Sequence, residues 1–308
     1  MPVELGLNTG FALNRFTTPE EWIPLVGEVL KIKLVQFTAD LLNPSLPDKI
    51  VKKQLQRINA LSSKHGLKIK HTFTSAFTRV NHLAHPDAEL RDYWLNWFKR
   101  FVDISAALGA ESMGGHLGIF TVKDYHDPEI RRERFGQVIE AWKKIADYAA
   151  KKKLLKYLTW EPMSIGREMG ETIEEAKRIH RILNMDIALP MKLCLDVDHG
   201  NVASQDPADT DPYRWITEFG SEIAILHLKQ SHSNKGGHWP FVPEHNENGK
   251  ISPSKIVRCL KMAGVNDVAL ILELTFRERE PFESRVVDDL KTSVEYWRPF
   301  ISPPKNCQ

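Results

Sequence analysis

Four side chains that could hold a metal each close a short apolar run. Glu161 follows Leu158-Thr159-Trp160, Asp196 follows Cys194-Leu195, His227 follows Ile225-Leu226, and Glu273 follows Ile271-Leu272. A charge at the end of an apolar strand needs a partner, because desolvating a lone carboxylate is expensive. Three carboxylates brought to one place repel one another, and a divalent cation relieves that repulsion. Three oxygens and one imidazole suit a single Mn²⁺, Co²⁺, Mg²⁺ or Zn²⁺ ion, and ligand type does not choose among these. The alternative is that Lys or Arg neutralises the carboxylates.

Other polar residues stand at equivalent places. Asn8, Gln36, His71 and His116 also end apolar runs, and Asn8, His71 and His116 read as substrate contacts. Asp196-Val197-Asp198-His199 puts a second imidazole just past the strand, near the metal or a substrate oxygen. Asp198 either orients His199 or caps the following turn. His82, His85 and His126 lie in loops beside Pro or Asp and read as solvated.

Positioning these groups requires strands that alternate with helices. Strands are expected at 4–8, 33–37, 68–73, 111–116, 155–161, 191–197, 223–229 and 268–274. Helices are expected near 19–30, 47–65, 87–108, 128–152, 171–184, 211–219, 253–263 and 283–298. Leu90, Trp94, Phe98, Phe101, Ile104 and Leu108 recur at three- and four-residue steps, and Gly109 supplies the stop. Thr18-Pro19-Glu20-Glu21 and Asp127-Pro128-Glu129 are helix starts, with Pro in the first turn and acids at the positive end of the dipole. Eight such alternations without a linker predict one (β/α)8 TIM barrel over residues 1–308, with a C-terminal tail at about 300–308. Active sites of this fold form at the C-terminal ends of the strands. The long stretch 230–250 reads as an irregular functional loop, with Trp239 and Phe241 as an aromatic lid.

The 308 residues are 42% hydrophobic and 27% charged, an ordinary globular balance, and the formal net charge is +2. Basic residues are scattered, which argues against nucleic acid; Lys151-Lys152-Lys153 reads as a solvated helix end. Cys194, Cys259 and Cys307 are too few and too far apart for a disulfide framework or a thiolate site, and Cys194 reads as core. No apolar stretch is long enough to span a membrane and no leader is visible, so a cytoplasmic enzyme is expected, with a homo-oligomer left open.

Glu161, Asp196-x-x-His199, His227 and Glu273 together resemble the motifs of the xylose-isomerase-like TIM-barrel superfamily, over nearly the whole chain. That group includes sugar-phosphate isomerases, ketose 3-epimerases, inosose dehydratases and endonuclease-IV-type repair enzymes. The resemblance implies that Glu161, Asp196, His227 and Glu273 are metal ligands. In the epimerase branch it also implies that Glu161 and Glu273 are the acid/base pair and that His199 touches substrate. Tagatose- and psicose-type epimerases carry a second Glu soon after the first ligand and an Arg soon after the His. Here those regions read Pro162-Met163-Ser164-Ile165-Gly166-Arg167-Glu168 and Leu228-Lys229-Gln230-Ser231-His232-Ser233-Asn234-Lys235. Arg167, Lys229 and Lys235 are therefore candidate anion contacts, which favours a phosphorylated sugar. The expected function is 3-epimerisation of a ketose or small ketose phosphate through an enediolate, with erythrulose phosphate among the candidates. An aldose–ketose isomerase is the alternative; an inosose-type dehydratase and a repair endonuclease stand further off. His71, His116, Glu161, Asp196, His199, His227 and Glu273 match seven ligand positions of the repair enzymes, but no later D-x-H is present between Gln230 and Ile251.

Overall fold

The short apolar runs pair edge to edge into a closed parallel barrel, seen in a computed structural model that describes residues 3–232 and 235–301. The strands are β1 (Val3–Asn8), β2 (Leu34–Thr38), β3 (Lys68–Phe73), β4 (Ser112–Gly115), β5 (Tyr157–Trp160), β6 (Met191–Asp196), β7 (Ile223–Leu228) and β10 (Val268–Leu272). Around the ring they run β1-β10-β7-β6-β5-β4-β3-β2. Between β7 and β10, β8 (Gln230–His232) and β9 (Lys235–Trp239) form an antiparallel hairpin. The expected irregular loop is thus partly ordered: its strands can pair locally because Gly236 and Gly237 leave room for Asp198 and Trp239.

The helices are α1 (Pro19–Pro24), α2 (Asp48–His65), α3 (Ala88–Ala107), α4 (Val122–His126), α5 (Pro128–Lys152), α6 (Ile173–Leu183), α7 (Pro212–Phe219), α8 (Pro243–Asn246), α9 (Pro253–Met262) and α10 (Phe282–Ile301). The short α4 and α8 were not expected. The first helix is interrupted at Pro24, which offers no N–H to the ladder, and a wider turn follows, closed by Leu30 N–H donating to Leu25 O at 3.0 Å. Asp87 and Asp127 cap α3 and α5, each side chain accepting two backbone N–H groups. Gly109, at φ +76°, ends α3 as expected. Its stripe buries Phe98, Phe101 and Ile104, whereas Leu90, in the first turn, stays 44% exposed. Among the described residues, no helix is long and apolar enough to cross a membrane.

The main core lies between barrel and helices, and a smaller apolar cluster fills the barrel itself: Leu34, Phe73, Cys194, Ile225, Ala269 and Ile271. The two-residue period of a strand then sets the layer above. Gln36, Asp196, His227 and Glu273 each lie two residues beyond Leu34, Cys194, Ile225 and Ile271, and so point to the same side one layer higher. In β3 the order is reversed. Phe73 takes the site's level, edge-on to His227 at 5.3 Å, and His71 sits a layer deeper. Gly114 lets β4 and β5 close: a Cβ there would stand 2.3 Å from the Thr159 carbonyl oxygen.

Candidate active site

Glu161, Asp196, His227 and Glu273 converge, each offering a ligand atom within 4.8 Å of the others. His227 is the centre of the group. Its Nδ1 lies 3.1 Å from Glu161 Oε1, 3.4 Å from Glu273 Oε2 and 3.9 Å from Asp196 Oδ2. On the other side of the ring, Nε2–H donates to Gln36 Oε1 at 2.8 Å, and Asn8 Nδ2 donates to the same oxygen at 2.7 Å. This arrangement leaves Nδ1 facing the carboxylates, as a metal-ligating histidine held by an outer partner would do. Gln36 therefore orients His227 and Asn8, a role that its place at a strand end did not specify.

Lys229 enters the same cluster. Fully buried, it pairs with Asp196 Oδ2 and donates to Glu273 Oε2 at 2.8 Å. It is an internal counter-ion and does not line the cavity, which corrects its expected role as a substrate-anion contact. Burial opposes the charge on Lys229, but Asp196, Glu273 and Glu161 win and raise its pKa. Burial likewise acts against ionised Glu273, yet His227 and Lys229 hold it at about 2. Asp196 is drawn well below the usual range against the same burial, by His199 and Lys229. Burial also opposes a proton on His227, which Cys194, Glu273 and Glu161 nevertheless favour.

These contacts test whether a cation fits. One ammonium cannot balance three carboxylates, and a proton on His227 still leaves an excess of one negative charge. Asp196 Oδ2 is buried and receives no well-aligned hydrogen bond, its Lys229 contact being an ion pair only. A group of buried carboxylates with an inward-facing imidazole and residual negative charge fits a divalent ion.

A cavity of about 410 Å³ opens over this cluster, with Asn8, His116, Glu161, His199, His238 and Glu273 among its walls. His199 Nδ1–H donates to Pro162 O at 3.0 Å, which leaves Nε2 as its free nitrogen. His238 comes from β9 and accepts from Lys229 Nζ at 2.8 Å; Lys229 first, and then burial, lower its pKa to about 4. Nothing in the composition of the 230–250 stretch had singled it out. His116 packs against His82 with ring centroids 4.4 Å apart, and burial brings it down to about 4. His82 is buried, not solvated as expected, because Trp94, Phe98 and His116 enclose it.

Several expectations fail for reasons of geometry. His71 does not reach the cavity: strand parity puts it beneath Phe73, its Nδ1 is 2.8 Å from Ser112 Oγ, and burial lowers it to about 3. Neither His71 nor His116 joins a group of neighbouring ligand atoms among the described residues, so the seven-ligand arrangement of a repair enzyme is not assembled. Arg167 donates to Phe120 O at 2.8 Å and stands outside the cavity wall. The Lys235 side chain, Cys307 and the tail from 302 lie outside the described residues. Asp198 neither orients His199 nor caps the following turn; it binds the hairpin, accepting from Gly237 N at 2.7 Å and from Ser231 Oγ. Phe241 is core, stacked on Tyr296 and edge-on to Trp297, so it is no lid, and Trp239 stacks on His245 away from the cavity.

Known proteins share this architecture. The chain is 38% identical over 302 residues to the D-erythrulose 1-phosphate 3-epimerase of Brucella abortus (strain 2308), covering 98% of this chain and 97% of the relative. A xylose-isomerase-like protein of Rhodospirillum rubrum ATCC 11170 superposes with a TM-score of 0.88 at 25% identity, over 98% of this chain and all of that one. The D-psicose 3-epimerase of Clostridium cellulolyticum H10, solved with D-tagatose, shares the fold at a TM-score of 0.71 and 15% identity, with 97% of this chain covered and 100% of the other. A family model described as xylose isomerase-like TIM barrel matches residues 30–299, and with the relative of 38% identity it settles the kinship: this chain belongs to the xylose isomerase-like TIM barrel family.

Proposed function

We propose that this protein is a sugar epimerase that inverts C3 of a small ketose phosphate, with a four-carbon 1-phosphate as the best-supported substrate. One observation carries the reading: Glu161 and Glu273 line the same cavity from β5 and β10, three places apart around the eight-strand ring. Two carboxylates arriving from well-separated directions can serve opposite faces of one substrate carbon, which inversion requires. The similarity to a D-erythrulose 1-phosphate 3-epimerase supports the substrate class.

One glutamate takes the C3 proton, and the electron pair of the broken C–H bond moves toward the C2 carbonyl oxygen, giving an enediolate. The other glutamate, entering the step as the carboxylic acid, gives its proton to the opposite face of C3 and becomes the carboxylate as the carbonyl re-forms, so the two residues exchange protonation states in each turnover. A divalent ion held by Glu161, Asp196, His227 and Glu273 would supply Lewis acidity toward the developing oxyanion. Lys229 keeps part of the carboxylate charge balanced throughout. His199, fixed through Pro162, offers its free nitrogen to a substrate oxygen, and Asn8 and His116 bound the cavity. The walls from β1, β4 and the hairpin limit water around the reacting carbon.

The test is isotope exchange in D₂O with Glu161→Gln and Glu273→Gln, using D-erythrulose 1-phosphate and its C3 epimer with Mn²⁺. Each variant loses inversion, yet with one base left it exchanges the C3 hydrogen of one epimer only, and the two variants prefer opposite epimers. Deuterium at C1 would mark an aldose–ketose isomerase. Inversion by both variants at near wild-type rates rules out the two-glutamate mechanism.

A further inference from the structure

The cavity wall also carries two arginines, Arg15 and Arg79, that the proton transfers leave without a task. Arg15 lies in the loop between β1 and α1, and Arg79 in the loop after β3. Each is clamped from behind by a carboxylate. The Arg15 side chain is 7% exposed; its Nε donates to both oxygens of Glu283 at 3.0 and 2.9 Å, and Nη2 donates to Phe276 O at 3.1 Å. Arg79 Nε and Nη2 donate to Glu168 Oε1 and Oε2 at 2.7 and 2.6 Å, and Glu168 is itself 3% exposed. In both guanidiniums Nη1 makes no hydrogen bond among the described residues. A guanidinium held along one edge has little rotamer freedom left to lose when its remaining N–H groups take an anion.

Their place in the ring matters as much as their chemistry. β1 and β3 flank β2, and β2 lies across the barrel from β6, the strand that supplies Asp196. A short ketose that presents its C2 carbonyl and C3 to the quartet extends C1 to one side and C4 to the other, and a C1 phosphate turned away from β6 meets the arginines. A further carboxylate of the cavity wall, Glu278, accepts from Asn14 Nδ2 at 2.6 Å. Because each arginine is already paired, recognition here depends on directed N–H donors more than on net charge. Forked donors of that kind match the oxygens of a phosphomonoester.

We infer that Arg15 and Arg79 form a subsite for the phosphate of a short ketose phosphate, and so set the preference for phosphorylated over free sugar. The inference rests on the proposed epimerase reading. Arg15→Met and Arg79→Met test it, with Arg15→Lys and Arg79→Lys keeping a counter-charge for Glu283 and Glu168 so that folding is preserved. The readout is the ratio of kcat/KM for D-erythrulose 1-phosphate to that for D-erythrulose. Loss of one charge-assisted contact should lower the ratio about tenfold to a hundredfold in the Met variants, chiefly through KM, with the Lys variants intermediate. Inhibition by inorganic phosphate should weaken in parallel. A ratio within about twofold of wild type in both Met and both Lys variants overturns the subsite while leaving the epimerase reading intact. Should the wild-type protein turn over neither sugar, the epimerase reading fails instead. Calorimetry with inorganic phosphate then judges the subsite alone: weaker binding in the variants upholds it, and equal binding overturns it.

Discussion

Replacing Lys229 with Met would remove an ammonium from the carboxylate cluster, the only one there among the described residues, and isolate the role of charge. At 2.8 Å from Glu273 Oε2, the attraction at an effective dielectric of ~20 is about 6 kcal/mol, and Asp196 adds a second pair. Desolvation of the ammonium offsets much of this, so loss of one member of such a buried pair costs about 3–5 kcal/mol net. For a chain of this size, that is a drop in Tm on the order of 10 °C. The cost arises because Asp196 and Glu273 lose their counter-ion, and a bound cation can replace it. Scanning calorimetry of Lys229→Met should therefore show the full deficit in EDTA and a smaller one in saturating Mn²⁺. The added ion stabilises the folded state by mass action, and more so where the carboxylates lack the lysine. An equal deficit in both buffers would refute the reasoning, since it would mean that Lys229 and the cation do not share the same charges.

Two further outcomes follow from the same geometry. Asp196→Ala should abolish stoichiometric Mn²⁺ binding, measured by plasma emission after dialysis; tight one-to-one retention would exclude the quartet as the metal site. The second concerns acid. His71, pushed to about 3 by burial, stays neutral in the folded chain while the unfolded chain takes up its proton near the ordinary 6.5. Its stabilising share is full above pH 6.5 and is lost as pH falls toward 3, whereas His227, whose folded value is raised, adds no slope in that window. In EDTA, urea unfolding between pH 6.5 and 5 should be flatter for His71→Gln by up to about 1.4 kcal/mol per pH unit; identical slopes would exclude the buried neutral imidazole.

The ring of strands and the convergence of Glu161, Asp196, His227 and Glu273 were legible in the sequence because both rest on local pattern. An apolar residue two places before a carboxylate or imidazole, as in Cys194 and Asp196 or Ile271 and Glu273, fixes both the side and the layer that the polar group occupies. His71 carried the same apparent signature, but Phe73 beyond it lines the cavity, and His71 packs instead 6.4 Å from the ring of Tyr157 at the start of β5, a contact that only the closed barrel reveals. The anion contacts were less legible. Arg167, Lys229 and Lys235 were singled out by their distance from the metal-binding motifs, whereas Arg15 and Arg79 reach the cavity through loops whose paths no periodicity encodes. The residues from Asn8 to Arg15 make a distinctive first loop in the sequence, but that distinctiveness gives the Arg15 side chain no direction. The direction of Arg79 depends on Glu168, which is 89 residues away along the chain.

The stretch from Asp196 to His199 shows how one strand end serves several purposes. Asp196, still on strand parity, faces the quartet, and its Oδ1 accepts the Asp198 N–H at 2.7 Å, bending the chain out of the sheet. That bend turns Asp198 outward to the hairpin, where it binds Ser231 and the backbone of Gly237. It also carries His199 back over β5, where Pro162 O fixes the ring. The hairpin returns to the site through His238, which accepts from Lys229, itself paired with Asp196. A closed circuit of contacts thus joins Asp196, the turn after it, the hairpin and Lys229. Placement of the hairpin over the cavity is therefore tied to the carboxylates beneath it, because Asp196 and Glu273 hold Lys229 where it donates to His238. The expected aromatic lid of Trp239 and Phe241 is replaced by this polar connection, with Phe241 serving only to anchor the segment against Trp297.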